Sequence, residues 1–432
     1  MQTRSYPKSE ALMARARKVI PGASVGVVRV APAGMYGHYA LDYAAAGYPR
    51  YFERAAGSRF WDVDGNEFID YMCAFGPMVV GYAHDSIDNA AIAAFRKGNT
   101  VSIAAPVMIE LAEKLLELVQ PFTWAFFSKN GGDATNQACM VARFATGRRK
   151  IVVVNGCYHG TVQWMQAPGS PGTLDTDTAD VLHVDWNDVD GLEQLVSEHR
   201  GQIAAFFSSP YHHPVLVDNE MPAPGYWSKV EKLCRKEGIV LVLDDVRAGF
   251  RASLHGSHRY FGFTPDLICL GKALGSGHPI SALLGTDALR DAVSTVFVTG
   301  THYYNSGPFA AAIETLRVLQ EGDGANRMLA IGTRLAQGLV ASAKRHGFDL
   351  RITGLPSMPF LRLANEPNPV LTEGPQALHT GLHAKWIRSM VQQGAYFSDF
   401  HNNFVSAAHT EEDLSRTGEI AEEAFAKLAR EQ

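Results

Sequence analysis

From about Ser86 onward, short apolar runs alternate with segments of helical periodicity, and this alternation predicts a doubly wound, mostly parallel sheet. The helical segments are Ile87 to Lys97, Met108 to Val119, a stretch opened by Gly131-Gly132, Val189 to Glu198, Tyr226 to Glu237 and Phe309 to Glu321. Between them fall the runs T-W-A-F-F-S, I-V-V-V, I-A-A-F-F-S-S-P, Ile239 to Leu243, Leu267 to Leu270 and P-I-S-A-L-L-G-T. The runs Ile239 to Leu243 and Leu267 to Leu270 contain no polar residue, as strands covered on both faces require.

The flanks read differently. Residues 8 to 19 form an amphipathic helix that Pro21-Gly22 ends, and R-F-W-D-V-D-G-N-E-F-I-D-Y predicts a hairpin with a two-residue Asp64-Gly65 turn. M-C-A-F-G-P-M-V-V-G-Y-A-H is too rich in Gly and Pro to be regular and suits a pocket lining. The C-terminal portion mixes helices with two short expected strands, F-L-R-L-A and N-F-V-S-A-A. No Ser/Gly linker separates these parts. The expected division is residues 1–75, the N-terminal part of a small α+β domain; 76–322, the large domain; and 323–432, the remainder of the small one.

Composition narrows the function classes. The 432 residues are 46% hydrophobic and 19% charged with a net charge of −5, which argues against nucleic acid or an anionic membrane as partner. The N-terminus has no apolar signal core, and no segment approaches the ~20 apolar residues of a membrane helix, so a cytoplasmic location is the expectation. Five scattered cysteines read as reduced core residues, and neither Cys157 with His159 nor His212-His213 repeats at metal-ligand spacing, so no metal site is expected.

The chemistry gathers between Gly238 and Gly277. The first apolar strand delivers Asp244 and Asp245 at its carboxyl end, and the second delivers Lys272; α/β sheets bind ligands on that edge. A carboxylate and an amine so placed suit pyridoxal phosphate, the amine forming a Schiff base and the carboxylate holding the pyridine nitrogen protonated. Two adjacent acids after five apolar residues are expensive to bury without cationic partners, and Arg247 or Arg251 is the expected partner of the second acid. Val246 projects to the same side as Asp244 and would press on one ring face. Gly131-Gly132 at a helix start can cradle a phosphate, and Tyr158, beside His159 past another strand end, can stack on a flat ring. Each feature also has a plain structural reading: a turn, a buried Tyr, a capping carboxylate or a surface lysine. Two other classes stay open. A non-catalytic binding module would not need Lys272, and a nicotinamide oxidoreductase would need a G-x-G-x-x-G after an early strand, which G-S-G-H-P does not supply.

Taken together, these motifs resemble the class III aminotransferases of PLP fold type I, in the branch of glutamate-1-semialdehyde aminomutase. The resemblance spans nearly the whole chain through V-I-P-G-A-S-V-G-V-V-R, F-W-D-V-D-G-N-E-F-I-D-Y, G-P-M-V-V-G-Y-A-H, G-C-Y-H-G, L-D-D-V-R-A-G-F-R, C-L-G-K-A-L-G-S-G-H-P and A-A-H-T-E-E-D-L. It implies a large seven-stranded-type sheet domain with a small domain formed by both termini. It also implies a homodimer with shared sites that moves an amino group between an amine donor and a carbonyl acceptor. By that likeness Lys272 is the Schiff-base lysine and proton shuttle, and Asp244 pairs with the pyridine nitrogen. Val246 and Tyr158 sandwich the ring, Gly131 and Gly132 hold the phosphate, Thr301 reaches the phosphate of the neighbouring subunit, and Arg29 holds a substrate carboxylate. The chain departs from the family at N-G-G-D-A, where Asn130 is the available substitute for a missing Thr hydroxyl. It departs again at Phe75, at Ser209-Pro210 followed by Tyr211-His212-His213, and at Tyr303-Tyr304. These changes cluster around the substrate. They point to Phe75, Tyr211, His212 and Tyr303 as substrate contacts, and to an acceptor of the oxidised-sugar or aminoglycoside-aldehyde type. An aminomutase or epimerase outcome shares the same first step and stays open.

Overall fold

A computed structural model of the protein describes residues 4–20, 48–365 and 381–431. Its strands, in chain order, are β1 Phe52–Ala56, β2 Arg59–Asp62, β3 Glu67–Asp70, β4 Trp124–Ser128, β5 Lys150–Val154, β6 Val181–Val184 and β7 Ile203–Ser208. They continue with β8 Val240–Asp244, β9 Leu267–Leu270, β10 Ser281–Gly285, β11 Leu350–Thr353, β12 Phe360–Leu363 and β13 Ala395–Tyr396.

Seven of these form one sheet in the order β4-β10-β9-β8-β7-β5-β6, in which β10 alone runs antiparallel to its neighbours. The expected α/β sheet of fold type I is therefore present. Every residue of β7, β8, β9 and β10 is buried, which is why these strands read as unbroken apolar runs. Helices cover both faces: one core includes Leu111, Leu115, Phe206, Trp227, Leu241 and Phe309, and the opposite one Ala138, Val141, Ile151, Phe207, Val242 and Leu283. The helices Val189–Glu198 and Tyr226–Glu237 occupy the spans their periodicity predicts.

A second core joins the two ends of the chain, packing Phe68, Ile69 and Tyr71 against Leu335, Trp386, Ile387, Val391 and Phe425. There the sheet β1-β2-β3-β13 is antiparallel except that β13 runs parallel to β3, and β11 pairs with β12. The hairpin β2–β3 forms, but its connection is longer than a two-residue turn. Trp61 pairs with Glu67, and Asp62 takes the amides of Asp64 and Asn66 on its side chain. Asp64 is thereby freed to accept from the Lys8 and Ser9 amides at 2.7 and 3.0 Å, tying the N-terminal helix Pro7–Val19 to the hairpin.

Two expectations need correction. N-F-V-S-A-A is not a strand, because its amides go to different segments: Phe404 to Tyr71, Val405 to Ser357 and Ala407 to Val79. Conversely D-V-L-H-V-D contains β6, a half-buried edge strand that its acidic flanks concealed. Among the described residues no helix is long and apolar enough to cross a membrane.

Candidate active site

Asp244 ends β8 with its side chain buried. Its Oδ1 accepts the Val246 amide at 3.1 Å, and its Oδ2 lies 2.7 Å from His159 Nδ1. Burial alone would lower the His159 pKa, but the hydrogen bonds to Asp244 and Cys157 outweigh it and raise the imidazole to about 10. His159 is therefore a cation facing a carboxylate, and its Nε2, without a partner, is buried against the sheet. The turn that brings it there is fixed by Thr135 Oγ1, which donates to the His159 carbonyl at 2.6 Å.

Lys272 stands just past β9, with only Gly271 between, and β8 and β9 are hydrogen-bonded neighbours with Asp244 opposite Cys269. Its backbone is held left-handed at φ 42°, an uncommon conformation for a residue with a side chain. Burial, and then the charge of Arg247, lower its pKa to about 7, while Asp244 acts in the opposite sense. A lysine so placed is present in substantial part as the free amine near neutral pH.

The helix Gly131–Thr146 starts in the same corner. As its first two residues, Gly131 and Gly132 present amides that have no acceptor within the helix. Side chains would close the gap: a Cβ on Gly131 would lie 2.6 Å from Val246 Cγ1, and one on Gly160 2.8 Å from the Gly132 Cα. A Cβ on Gly271 would also meet Val246, at 3.3 Å. Val246 thus sits between the helix start and the strand end that carries Lys272. Asn130 is exposed at the helix N-cap, where its amide donates to Asp133 and its carbonyl accepts from Ser281. Lys129 Nζ is buried beside the same helix without a hydrogen-bond partner, 5.5 Å from the Phe309 ring, and burial lowers it to about 8. These donors fit pyridoxal phosphate: a side-chain-free helix start for the phosphate, a buried carboxylate for the ring nitrogen and an uncharged amine for the aldehyde carbon.

The other predicted residues divide. Tyr158 is exposed, and the charges of Arg247 and Asp244 both reach its hydroxyl. Phe75 sits in a left-handed run with Cys73 and Ala74, its ring 5.4 Å from His401. Tyr211 is fully buried behind His213, ring to ring at 4.9 Å. His212 turns away, bonding the Asn155 carbonyl at 2.9 Å and stacking on Trp186. Thr301 is exposed, and Tyr303 folds back over Gly300. Arg29 lies outside the described residues.

Neither expected arginine pairs with Asp245. Asp245 Oδ2 takes the Ser257 amide at 2.9 Å while Oδ1 is buried without a partner, and burial raises this carboxyl to about 7. Arg251 instead donates to the carbonyls of Gly76, Ser357 and Val405, and Arg247 to the His213 carbonyl. Sequence reasoning passed over His401 and named His213 only within the run Tyr211-His212-His213; both are buried, and the charges of Arg247 and Lys272 act on both. The only signal for His213 was the doublet His212-His213, and nothing in F-H-N-N-F marked His401.

A family profile described as aminotransferase class-III matches residues 43–410. The chain is 39% identical to an aminopentol aminotransferase of Sphingopyxis macrogoltabida over 93% of each protein. It is 33% identical to a glutamate-1-semialdehyde 2,1-aminomutase of Chloroflexus aggregans over 99% of each. The solved PLP internal aldimine form of the FumI protein of Sphingopyxis sp. MTA144 superposes with a TM-score of 0.89 at 37% identity, covering 99% of this chain and 97% of that one.

Proposed function

The chain belongs to the class-III aminotransferases, PLP-dependent enzymes that move an amino group from an amine donor to a carbonyl acceptor, and from that premise we propose that Lys272 and Asp244 are its working pair. One observation carries the reading: a buried carboxylate, an amine with its pKa lowered to about 7 and a side-chain-free helix start converge on Val246. When bound, pyridoxal phosphate supplies an electron sink for bond breaking at the amine-bearing carbon, and an aldehyde carbon that stores the amino group between half-reactions.

The chain's own residues do the rest. The amides of Gly131 and Gly132, with Asn130 at the cap, hold the phosphate at the positive end of the helix dipole. Asp244 lies buried 2.7 Å from His159 Nδ1, and its carboxylate is the group placed to hold a proton on a ring nitrogen. Val246 and Tyr158 confine the ring from its two faces. Lys272 Nζ, near its pKa at neutral pH, can take a proton from the substrate carbon and hand it back. Phe75 and Tyr303 border the substrate, Tyr211 backs His213, and His212 steadies the turn after β5. Arg29 is retained as a proposed carboxylate contact.

The same reading makes the enzyme a homodimer, with Thr301 serving the partner's phosphate. The exposure of Thr301 and of Ile103 and Phe297 supports it. The domain division at residues 75 and 322 is supported by the separate core that both chain ends share. As amine substrate we favour a polyhydroxylated amine, the class in the name of the Sphingopyxis macrogoltabida relative.

The test is Lys272→Ala in the holoenzyme. Visible absorbance of lysine-bound cofactor is expected to vanish and transamination to fall by roughly 10²-fold or more. Unchanged turnover would refute the assignment.

A further inference from the structure

Arg247 follows the strand that ends in Asp244, and among the described residues no carboxylate pairs with it. Its Nη1 donates to the His213 carbonyl at 2.8 Å and lies 3.2 Å from His213 Nδ1. Nη2 and Nε have no acceptor among the described residues. A guanidinium cannot accept a hydrogen bond, so His213 Nδ1 is the acceptor and the ring proton sits on Nε2. That Nε2–H is buried without an acceptor, in a side chain more than nine-tenths buried. A buried donor left unmade is costly, so the arrangement is unfavourable unless something accepts from it.

The surroundings say where that acceptor lies. The charges of Arg247 and Lys272 both act on His213 and on His401, and with burial they hold the two imidazoles neutral, well below the usual histidine range. His401 donates Nδ1–H to the Asn402 carbonyl at 2.8 Å and carries the Phe75 ring at 5.4 Å. Arg247 and His213 are thus in contact, His401 carries the Phe75 ring, and Lys272 lies near enough for its charge to act on both histidines.

We propose that Arg247 and His213 form a carboxylate-binding subsite, which holds the amino-acid or oxo-acid member of the substrate pair with its reacting carbon at Lys272. A carboxylate has two oxygens, one for the guanidinium fork and one for the His213 Nε2–H, and its charge balances that of Arg247. The subsite rests on the aminotransferase reading and specifies which substrate is recognised, and by what.

Half-reactions of the holoenzyme separate the two. Each is followed by the cofactor's visible absorbance, with L-alanine and pyruvate as carboxylated probes and hexylamine as the probe lacking the group. Arg247→Gln is expected to lower kcat/KM by about 30-fold or more for the carboxylated probes, the loss of one partner of a hydrogen-bonded charge pair. Most of that loss should appear in KM, with hexylamine changed less than about 3-fold. His213→Leu should act in the same direction, and His213→Gln, which restores an N–H, should recover part of the loss. Equal losses on all probes, or none on the carboxylated ones, overturn the subsite while the aminotransferase reading survives. A wild-type holoenzyme that reacts with none of the three overturns both.

Discussion

His159 and Asp244 face each other at 2.7 Å in a buried corner, and that contact makes stability depend on pH. The folded imidazole titrates near 10 against an ordinary 6.5. A pKa raised by folding contributes stability that is complete below about 6.5 and lost as the pH climbs through about 10. The melting temperature of cofactor-free protein should therefore drop between pH 7 and 10. His159→Gln should flatten that drop by about 2 °C or more, read by scanning calorimetry. A variant with the wild-type pH profile would show that the imidazole is neutral in the folded chain. Position in sequence marked this pair only in part. G-C-Y-H-G pointed to a ligand edge, but Tyr158 drew the attention, and the histidine's carboxylate partner lies 85 positions away.

Between elements, Arg251 acts as a bolt. Fully buried, it donates to carbonyls from the left-handed 73–76 turn, from Ser357 and from Val405, and lies 4.9 Å from the Phe404 ring. Burial lowers its pKa to about 10, so it stays charged at neutral pH. Arg251→Met keeps much of the volume but strands the three carbonyls. It should destabilise by about 3 kcal/mol or more in urea unfolding, and lower turnover by loosening Phe75. A loss below about 1 kcal/mol would mean that water replaces the guanidinium. Sequence reasoning offered Arg247 or Arg251 as the partner of Asp245, the nearest acid in the chain to Arg251. It could not foresee that loops from both ends of the protein converge on the arginine and take its two Nη groups. N-F-V-S-A-A misled for the same reason: its composition suits a strand, but its amides are shared among three segments.

At the scale of the molecule, the Lys272 corner is composed within one chain, while Thr301 and the apolar side chains Ile103 and Phe297 are exposed. Sedimentation equilibrium should give a dimer, and Thr301→Val should weaken phosphate-dependent cofactor retention without unfolding the protein. A fully active monomer would exclude the shared site. The sequence by itself determined the alternating sheet and helix order, because burial on two faces writes itself into a strand's own residues. It also determined that Asp244 and Lys272 share an edge, because parallel strands end together. Only the tertiary structure decided that His213 rather than His212 lies against Arg247, that Arg251 locks the fold, and that His401 arrives from the far end of the chain. Those choices depend on which distant segments pack against one another, and the periodicity of a single element holds no record of that.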